Sequence, residues 1–310
     1  MNFEPRQACF LPGPTAVGKS EIAVHLASRL SGEIISVDSM QVYRGLDIGT
    51  AKPSLADRRR VPHHLIDVSD LSEEFSAARF ARLAAEEAAG IQERGKVPVF
   101  CGGTGLYFNA LLAGLGGSPP SDAGLRASLE ALPLPDLARE LAERDPEFFA
   151  QIDQQNRRRL IRALEVVRLT GRPFSEQRAL WPAIPEGCPI IGLSRDSSDL
   201  HRRIAIRVEA MFEAGLVEET RRLLAAGLES NRTAMQAIGY RQVVDYLRGV
   251  GTLQETVERV KARTRQFAKR QMTWFRRQLP MTWFALSPDS EPERVAEDLA
   301  CRFTRTGGSN

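Results

Sequence analysis

No two of the four cysteines stand at a C-x-x-C spacing; Cys9, Cys101, Cys188 and Cys301 lie far apart. That scatter argues against a structural zinc site or a disulfide framework and fits a reducing cytosol. His63 and His64 have no Cys or Glu partner at metal spacing, so structural roles are expected of them. The opening residues, Met1-Asn2-Phe3-Glu4-Pro5, lack a cationic start and a sustained apolar stretch, and no signal peptide is expected. No window approaches the ~18 uninterrupted apolar residues of a membrane span. Together these absences predict a cytoplasmic protein with no membrane partner. Internal repeats and low-complexity segments are also missing. Net charge is small, +3, yet unevenly placed: eight Lys or Arg residues and no acid lie between Arg259 and Arg277.

What is present describes a soluble globular chain, with 43% hydrophobic and 26% charged residues among 310. That length allows one large or two ordinary domains with a well-buried core. Ala8–Pro12 is a short apolar run. Lys19–Leu30 repeats apolar residues at helical spacing (Ile22, Ala23, Leu26, Ala27, Leu30). Glu33–Asp38 and Val97–Cys101 read as buried strands, Ser76–Arg94 and Thr104–Ala113 as helices. This alternation is that of a parallel α/β sheet.

The pattern changes at Gly114–Ser121, a linker by composition. Only helical segments follow up to about Arg178. One is expected to be capped by Asp145 with Pro146 in its first turn, and another, Arg157–Thr170, to stop at Gly171. Trp181–Pro189 closes this region and Pro189–Leu193 returns to the sheet. The sequence thus predicts a core of residues 1–114 and 189–310 interrupted by an all-helical insertion, 115–188. The remainder is mostly helical, with a β-like run at Met281–Leu286 and a last helix near Pro292–Phe303. The tail Thr304–Asn310 is expected to be disordered.

Gly13-Pro14-Thr15-Ala16-Val17-Gly18-Lys19-Ser20 matches G-x-x-x-x-G-K-[ST] in full, between an apolar strand and an amphipathic helix. Glycines let the backbone curl so that several N–H groups face one anion, and the helix N-terminus adds partial positive charge. Lys19 can reach an outer phosphate, and the Ser20 hydroxyl can ligate Mg²⁺. The fold class is therefore α/β, a P-loop parallel-sheet core flanked by helices, with the helical insertion as a second domain.

The loop says phosphate without saying which. An NTPase, ATP-binding enzymes included, also holds Mg²⁺ with an acid ending a second apolar strand. Here Val97–Cys101 runs into Gly102-Gly103-Thr104 with no acid. The carboxylate at a strand end is Asp38, which should face the loop across the ligand crevice of a parallel sheet. It could orient magnesium or water, take a proton from a nucleophile beside a diphosphate, or cap the next turn.

The stretch Asp38–Pro53 (DSMQVYRGLDIGTAKP), following that loop, resembles the isopentenyl-tRNA transferase family. Further resembling stretches, in order, are Pro62–Asp67, Gly102–Tyr107, Arg159–Val166, Ile238–Gln242 and Thr264–Gln271. The resemblance implies transfer of a dimethylallyl group from dimethylallyl diphosphate to N6 of the tRNA adenosine just 3′ of the anticodon, position 37, with Mg²⁺ as cofactor. It implies that Gly13–Ser20 holds the prenyl donor's diphosphate and that no nucleoside triphosphate is consumed, which would account for the missing acid. A P-loop kinase of a nucleotide or small metabolite, and an RNA-binding regulator, are the alternatives.

By the same resemblance Asp38 is the general base, Arg207 an additional diphosphate ligand, and Thr15 and Thr104 lie near the reacting centre. Arg203 and Arg207, i and i+4, share one helix face. The implied partners are the tRNA anticodon stem-loop and dimethylallyl diphosphate, with the chain acting as a monomer. Around the target base the implied tRNA contacts are Asp38, Ser39, Met40, Gln41 and Thr104. From the insertion they are Arg126, Asn156, Arg157, Arg158 and Arg159, and from later segments Gly239, Tyr240, Arg241, Lys269, Arg270 and Arg276. Basic residues interleaved with Phe267, Trp274 and Phe275 suit phosphate binding with stacking, although the aromatics are expected to serve the core first. The chain departs from the family pattern at Asp153-Gln154-Gln155-Asn156-Arg157, where a His-Pro-Asn-Asp-like stretch would stand.

Overall fold

The computed structural model describes residues 3–116, 119–178 and 183–307. The chain divides into two compact units, Met1–Leu112 with Ile184–Asn310, and Ala113–Ala183.

The first unit begins β1 (Cys9–Pro12), α1 (Lys19–Arg29), β2 (Glu33–Val37), α2 (Leu55–Arg60), β3 (His63–His64), α3 (Ala77–Glu93), β4 (Pro98–Gly102) and α4 (Gly105–Leu112). All pairings in the sheet β1-β4-β2-β3 are parallel, with Phe10 opposite Phe100 and Ile35 opposite Phe100 on the other side. The strands read as continuous apolar runs because helices cover both faces. Their side chains nevertheless alternate. Phe10, Ile35, Val37 and Phe100 enter one core, which Phe80, Phe108, Tyr240 and Phe275 complete. Cys9, Leu11, Ile34 and Val99 enter the other, with Ile22, Leu26, Ile204 and Leu299. Phe10 and Phe100 stack at 4.8 Å, both fully buried. Truncating Phe100 to alanine would cost about 3–5 kcal/mol.

The second unit is helical, with α5 (Ala123–Ala131), α6 (Leu134–Arg144), α7 (Pro146–Gln151), α8 (Arg157–Thr170) and α9 (Phe174–Arg178). Leu129, Leu137, Leu141, Leu160 and Leu164 form its own core. Asp145 caps α7 by accepting from the Phe148 N–H (3.1 Å), and also holds Ser175 through its N–H and hydroxyl (both 2.8 Å). Gly171, at φ 69°, ends α8.

The chain then completes the first unit with β5 (Ile191–Arg195), α10 (Ser197–Glu213), α11 (Leu216–Ala225), α12 (Tyr240–Leu247), α13 (Leu253–Gln278), β6 (Thr282–Leu286) and α14 (Pro292–Gly307). β5 and β6 pair in parallel. A parallel bridge from Phe10 to Ile190, with the Phe10 N–H donating to the Pro189 carbonyl (3.1 Å), seats β5 beside β1. The loops after β1, β2, β4 and β5 therefore all open at one edge, where α/β sheets bind ligands.

One detail differs from the sequence reading. The last helix continues past Phe303 to Gly307, its Thr304 hydroxyl bonding the Ala300 carbonyl one turn back (3.1 Å); the rest of the tail, 308–310, lies outside the described residues. Parts of both linkers, Gly117, Ser118, Trp181 and Pro182, lie outside them too.

Candidate functional site

The loop Gly13–Ser20 leaves β1 and enters α1. The Gly13 N–H donates to the Gly102 carbonyl (3.2 Å), tying the loop's start to the end of β4. Ala16 (φ 64°) and Gly18 (φ 102°) are left-handed, the alternation that curls successive N–H groups into an anion-binding concavity. Lys19 reaches back across the loop to the Pro14 carbonyl (3.2 Å). Burial is the main cause that lowers its ammonium pKa below the usual lysine value, and the nearby Arg207 adds to the effect.

Two guanidinium groups hold the loop's curl from the other side. The Arg195 Nε donates to the Val17 carbonyl (2.8 Å) and the Arg203 Nε to the Ala16 carbonyl (2.9 Å). Arg195 is itself fixed by Asp199 (2.9 Å), which also takes Arg202 (2.7 Å). A cavity of about 330 Å³ opens here, lined by Lys19, Ser20, Arg202, Arg203 and Arg207. With Glu21 also in the lining, that is four cations, one carboxylate and a hydroxyl around one space, a net positive site suited to an anion.

Arg207 also lines a second cavity of about 360 Å³. Its lining is mixed, with Thr15, Asp38, Ser39, Thr104, Gln236, Thr264, Arg270 and Gln271 among the polar residues and Val208, Met211, Ile238, Val260 and Phe267 among the apolar ones. Burial lowers the Arg207 pKa and the Asp38 carboxylate opposes that. Asp38 uses one oxygen, Oδ1, to accept from the Met40 N–H (2.8 Å) and the Gln41 N–H (3.3 Å). The turn-capping role weighed from sequence is therefore present. Oδ2 takes no hydrogen bond among the described residues, so the same carboxylate keeps one acceptor free. The Thr104 hydroxyl accepts from the Ser39 N–H (3.1 Å), joining the turns after β4 and β2.

The residues named from sequence thus divide. Thr15, Lys19, Ser20, Asp38, Ser39, Met40, Thr104, Arg207 and Arg270 gather around the two cavities. Lys269 and Arg276 are exposed on α13, Arg276 lying 5.9 Å from the Trp283 ring. Arg241 is exposed, and Gly239 is a buried left-handed residue (φ 103°) opening α12. Arg158 and Arg159 are exposed at the start of α8, while Arg126 bonds the Ser121 hydroxyl (3.0 Å).

Four of the residues expected to contact RNA also make side-chain bonds within the protein. Tyr240 is fully buried; its hydroxyl donates to Glu219 (2.6 Å) and accepts from the Gly49 N–H (3.1 Å). Burial and the Glu219 carboxylate push its pKa up. Gln41 accepts from the Ser36 hydroxyl (2.8 Å) and donates to the Thr50 and Ala51 carbonyls (3.1 and 3.3 Å). Arg157 donates to the Glu130 and Leu132 carbonyls (both 2.6 Å), closing the end of α5. Asn156 caps α8 through the Arg159 N–H (3.3 Å). Of the basic segment's aromatics, Phe275 is in the core, Trp274 is half-buried and Phe267 is exposed at the cavity.

Three residues at the site were not singled out as site residues from sequence: Arg195, Arg203 and Gln271. Their signal was weak, since each reaches the loop from more than 170 residues away.

A parallel sheet with a cation-rich glycine loop at its open edge, next to a cavity of mixed polar and apolar lining, defines a P-loop protein. The IPP transferase family model matches residues 41–278, and the chain belongs to that family. It is 49% identical over 275 residues to tRNA dimethylallyltransferase 1 of Citrifermentans bemidjiense, covering 88% of this chain and 90% of that one. It is 50% identical over 274 residues to tRNA dimethylallyltransferase of Halorhodospira halophila, covering 86% and 88%. Among solved structures, the tRNA isopentenylpyrophosphate transferase of Bacillus halodurans is similar at TM-score 0.72 and 41% identity, over 97% of this chain and 96% of that one. A eukaryotic dimethylallyltransferase acting on tRNA is similar at TM-score 0.78 and 28% identity, over 91% and 73%.

Among the described residues no group of three or more His, Cys, Asp or Glu could hold a metal ion, and no helix is long and apolar enough to cross a membrane.

Proposed function

We propose that this chain transfers a dimethylallyl group from dimethylallyl diphosphate to N6 of the adenosine immediately 3′ of the tRNA anticodon. The observation that carries the reading is Arg207, which lines both cavities and so joins the anion site to a space holding a free carboxylate oxygen. Diphosphate on Gly13–Ser20 would leave its allylic carbon facing Asp38, in the cavity that Val208, Met211 and Ile238 also line.

The exocyclic amine of adenine is a weak nucleophile that must lose a proton as it bonds carbon. In the proposed reaction the N6–C bond forms, the allylic C–O bond breaks, and the electron pair leaves on diphosphate. Asp38 Oδ2 accepts the N6 proton, a contribution typically worth ~10²–10⁴ in rate. Its Oδ1 bonds to Met40 and Gln41 fix the carboxylate for that purpose. Lys19, Arg203, Arg207 and the loop amides stabilise charge as it grows on the leaving group. Mg²⁺ suits this donor set as a shared ion, with the Ser20 hydroxyl as one hard oxygen ligand and diphosphate and water supplying the rest, where it would neutralise leaving-group charge.

A base stacked in an anticodon loop has to be extruded to reach this cavity, which is cheapest for an unpaired nucleotide. Exposed Lys269 and Arg270 on α13 are assigned to loop phosphates, and exposed Arg158 and Arg159 of the helical unit to the stem. Incubation with dimethylallyl diphosphate, Mg²⁺ and unmodified tRNA, followed by nucleoside mass spectrometry, tests the reading. One dimethylallyl-adenosine per tRNA at that position is expected; unmodified adenosine after prolonged incubation would overturn it.

A further inference from the structure

Gln271 sits in the middle of the basic helix α13, yet it is 7% exposed and its side chain points inward. Its Oε1 accepts from the Thr15 N–H of the P-loop (2.9 Å), and its Nε2 donates to the Gly103 carbonyl beyond β4 (2.8 Å). One amide therefore spans the anion loop and the turn that carries Thr104. The seat is tight. A Cβ at Gly103 would come within 2.3 Å of Gln271 Nε2, and one at Gly105 within 2.1 Å of the Trp274 ring, one turn further along α13. Glycine at both positions lets the helix rest directly on the backbone of the active edge. The neighbouring residues Lys269 and Arg270 are exposed, so one helix carries a cationic face and a clamp on the catalytic loops.

We infer that Gln271 is a positioning residue: it sets the separation between the diphosphate loop and the Gly103–Thr104 turn, and so aligns the donor's leaving group with the Asp38 cavity. The inference rests on the reading of the loop as a diphosphate site. Glutamine suits the task because it offers an acceptor and a donor at one fixed spacing, and both groups it meets are main-chain atoms. An amide N–H and a carbonyl left unmatched here would let the two loops drift, and small displacements of a reacting group cost rate steeply.

Gln271→Met keeps the side-chain length and removes both bonds. Gln271→Glu keeps the acceptor for Thr15 and loses the donor to Gly103. Binding of inorganic diphosphate, measured by calorimetry, should weaken about threefold to tenfold in Gln271→Met. Its kcat should fall further than diphosphate binding does, and its tRNA affinity should stay within twofold of wild type. Gln271→Glu sets a carboxylate against the Gly103 carbonyl and beside the anion loop, so its diphosphate affinity and kcat should fall at least as far as those of Gln271→Met. Wild-type diphosphate affinity in either folded variant overturns the clamp. So does a reduced active fraction whose KM and kcat per active molecule are unchanged, since that is what a merely structural glutamine predicts. The calorimetry needs no prenyl transfer, so its failure is distinguishable from failure of the proposed reaction.

Discussion

Asp38→Asn separates the two tasks that one carboxylate performs. Asparagine retains Oδ1, the atom that accepts from Met40 and Gln41, so the turn after β2 should survive. It replaces Oδ2 with an amide nitrogen that cannot take a proton from N6. The loss of a general base predicts a fall in kcat of ~10²–10⁴, equivalent to about 3–5 kcal/mol of barrier. Binding of tRNA and of diphosphate should change little. Asp38→Ala removes the turn bonds as well. It should show the same catalytic loss together with a stability cost of about 1 kcal/mol, as for other side-chain caps. On a chain of this size that is a fall of ~1–2 °C in melting temperature. The assay is single-turnover prenyl transfer to an anticodon stem-loop, run beside thermal melts of all three proteins. Retention of more than about a tenth of wild-type kcat in Asp38→Asn would reduce Asp38 to a turn cap.

Ser20→Ala should raise the Mg²⁺ concentration needed for half-maximal activity; a metal titration superimposed on wild type would remove Ser20 from the ion's ligands. Lys269→Glu combined with Arg270→Glu should weaken tRNA binding and lower the slope of log affinity against log salt by about 1 per lost phosphate contact, read by filter binding. Glu33 predicts a pH dependence of stability. Burial would raise its pKa, but bonds from Lys96, His64 and Arg94 outweigh burial and hold it at about 2 against an ordinary 4.5. A lowered carboxylate pKa means that the stabilisation is full above the unfolded value and is lost as pH falls from about 4.5 through about 2. The gap in melting temperature between wild type and Glu33→Gln should therefore be widest above pH ~5 and close on acidification.

The parts of the site that were legible in the sequence are those made within a few residues. Gly13–Ser20 is one continuous turn whose glycines, lysine and serine each have a local reason, and Asp38 follows directly from the end of a strand. The helix ends at Asp145 and Gly171 were legible in the same way, each acting as its chemistry suggests. What sequence could not give was which polar side chains are consumed inside the fold. The Tyr240 hydroxyl is spent on Glu219, 21 positions away, and one guanidinium nitrogen of Arg157 on the carbonyls ending α5. Arg203 and Gln271 look like ordinary helix residues until α10 and α13 fold back onto a loop 187 and 256 positions earlier. Such contacts depend on tertiary closure and leave no periodic or local trace.

In the proposed reaction Gly13–Ser20 holds the leaving group of a carbon transfer. Diphosphate release should be measured alongside dimethylallyl-adenosine formation, with dimethylallyl diphosphate and tRNA, in the presence and absence of ATP. One diphosphate per modified adenosine, unaffected by ATP, is the predicted result. Turnover of ATP with no prenylated tRNA would contradict the account and make the loop that of a kinase or nucleotide hydrolase.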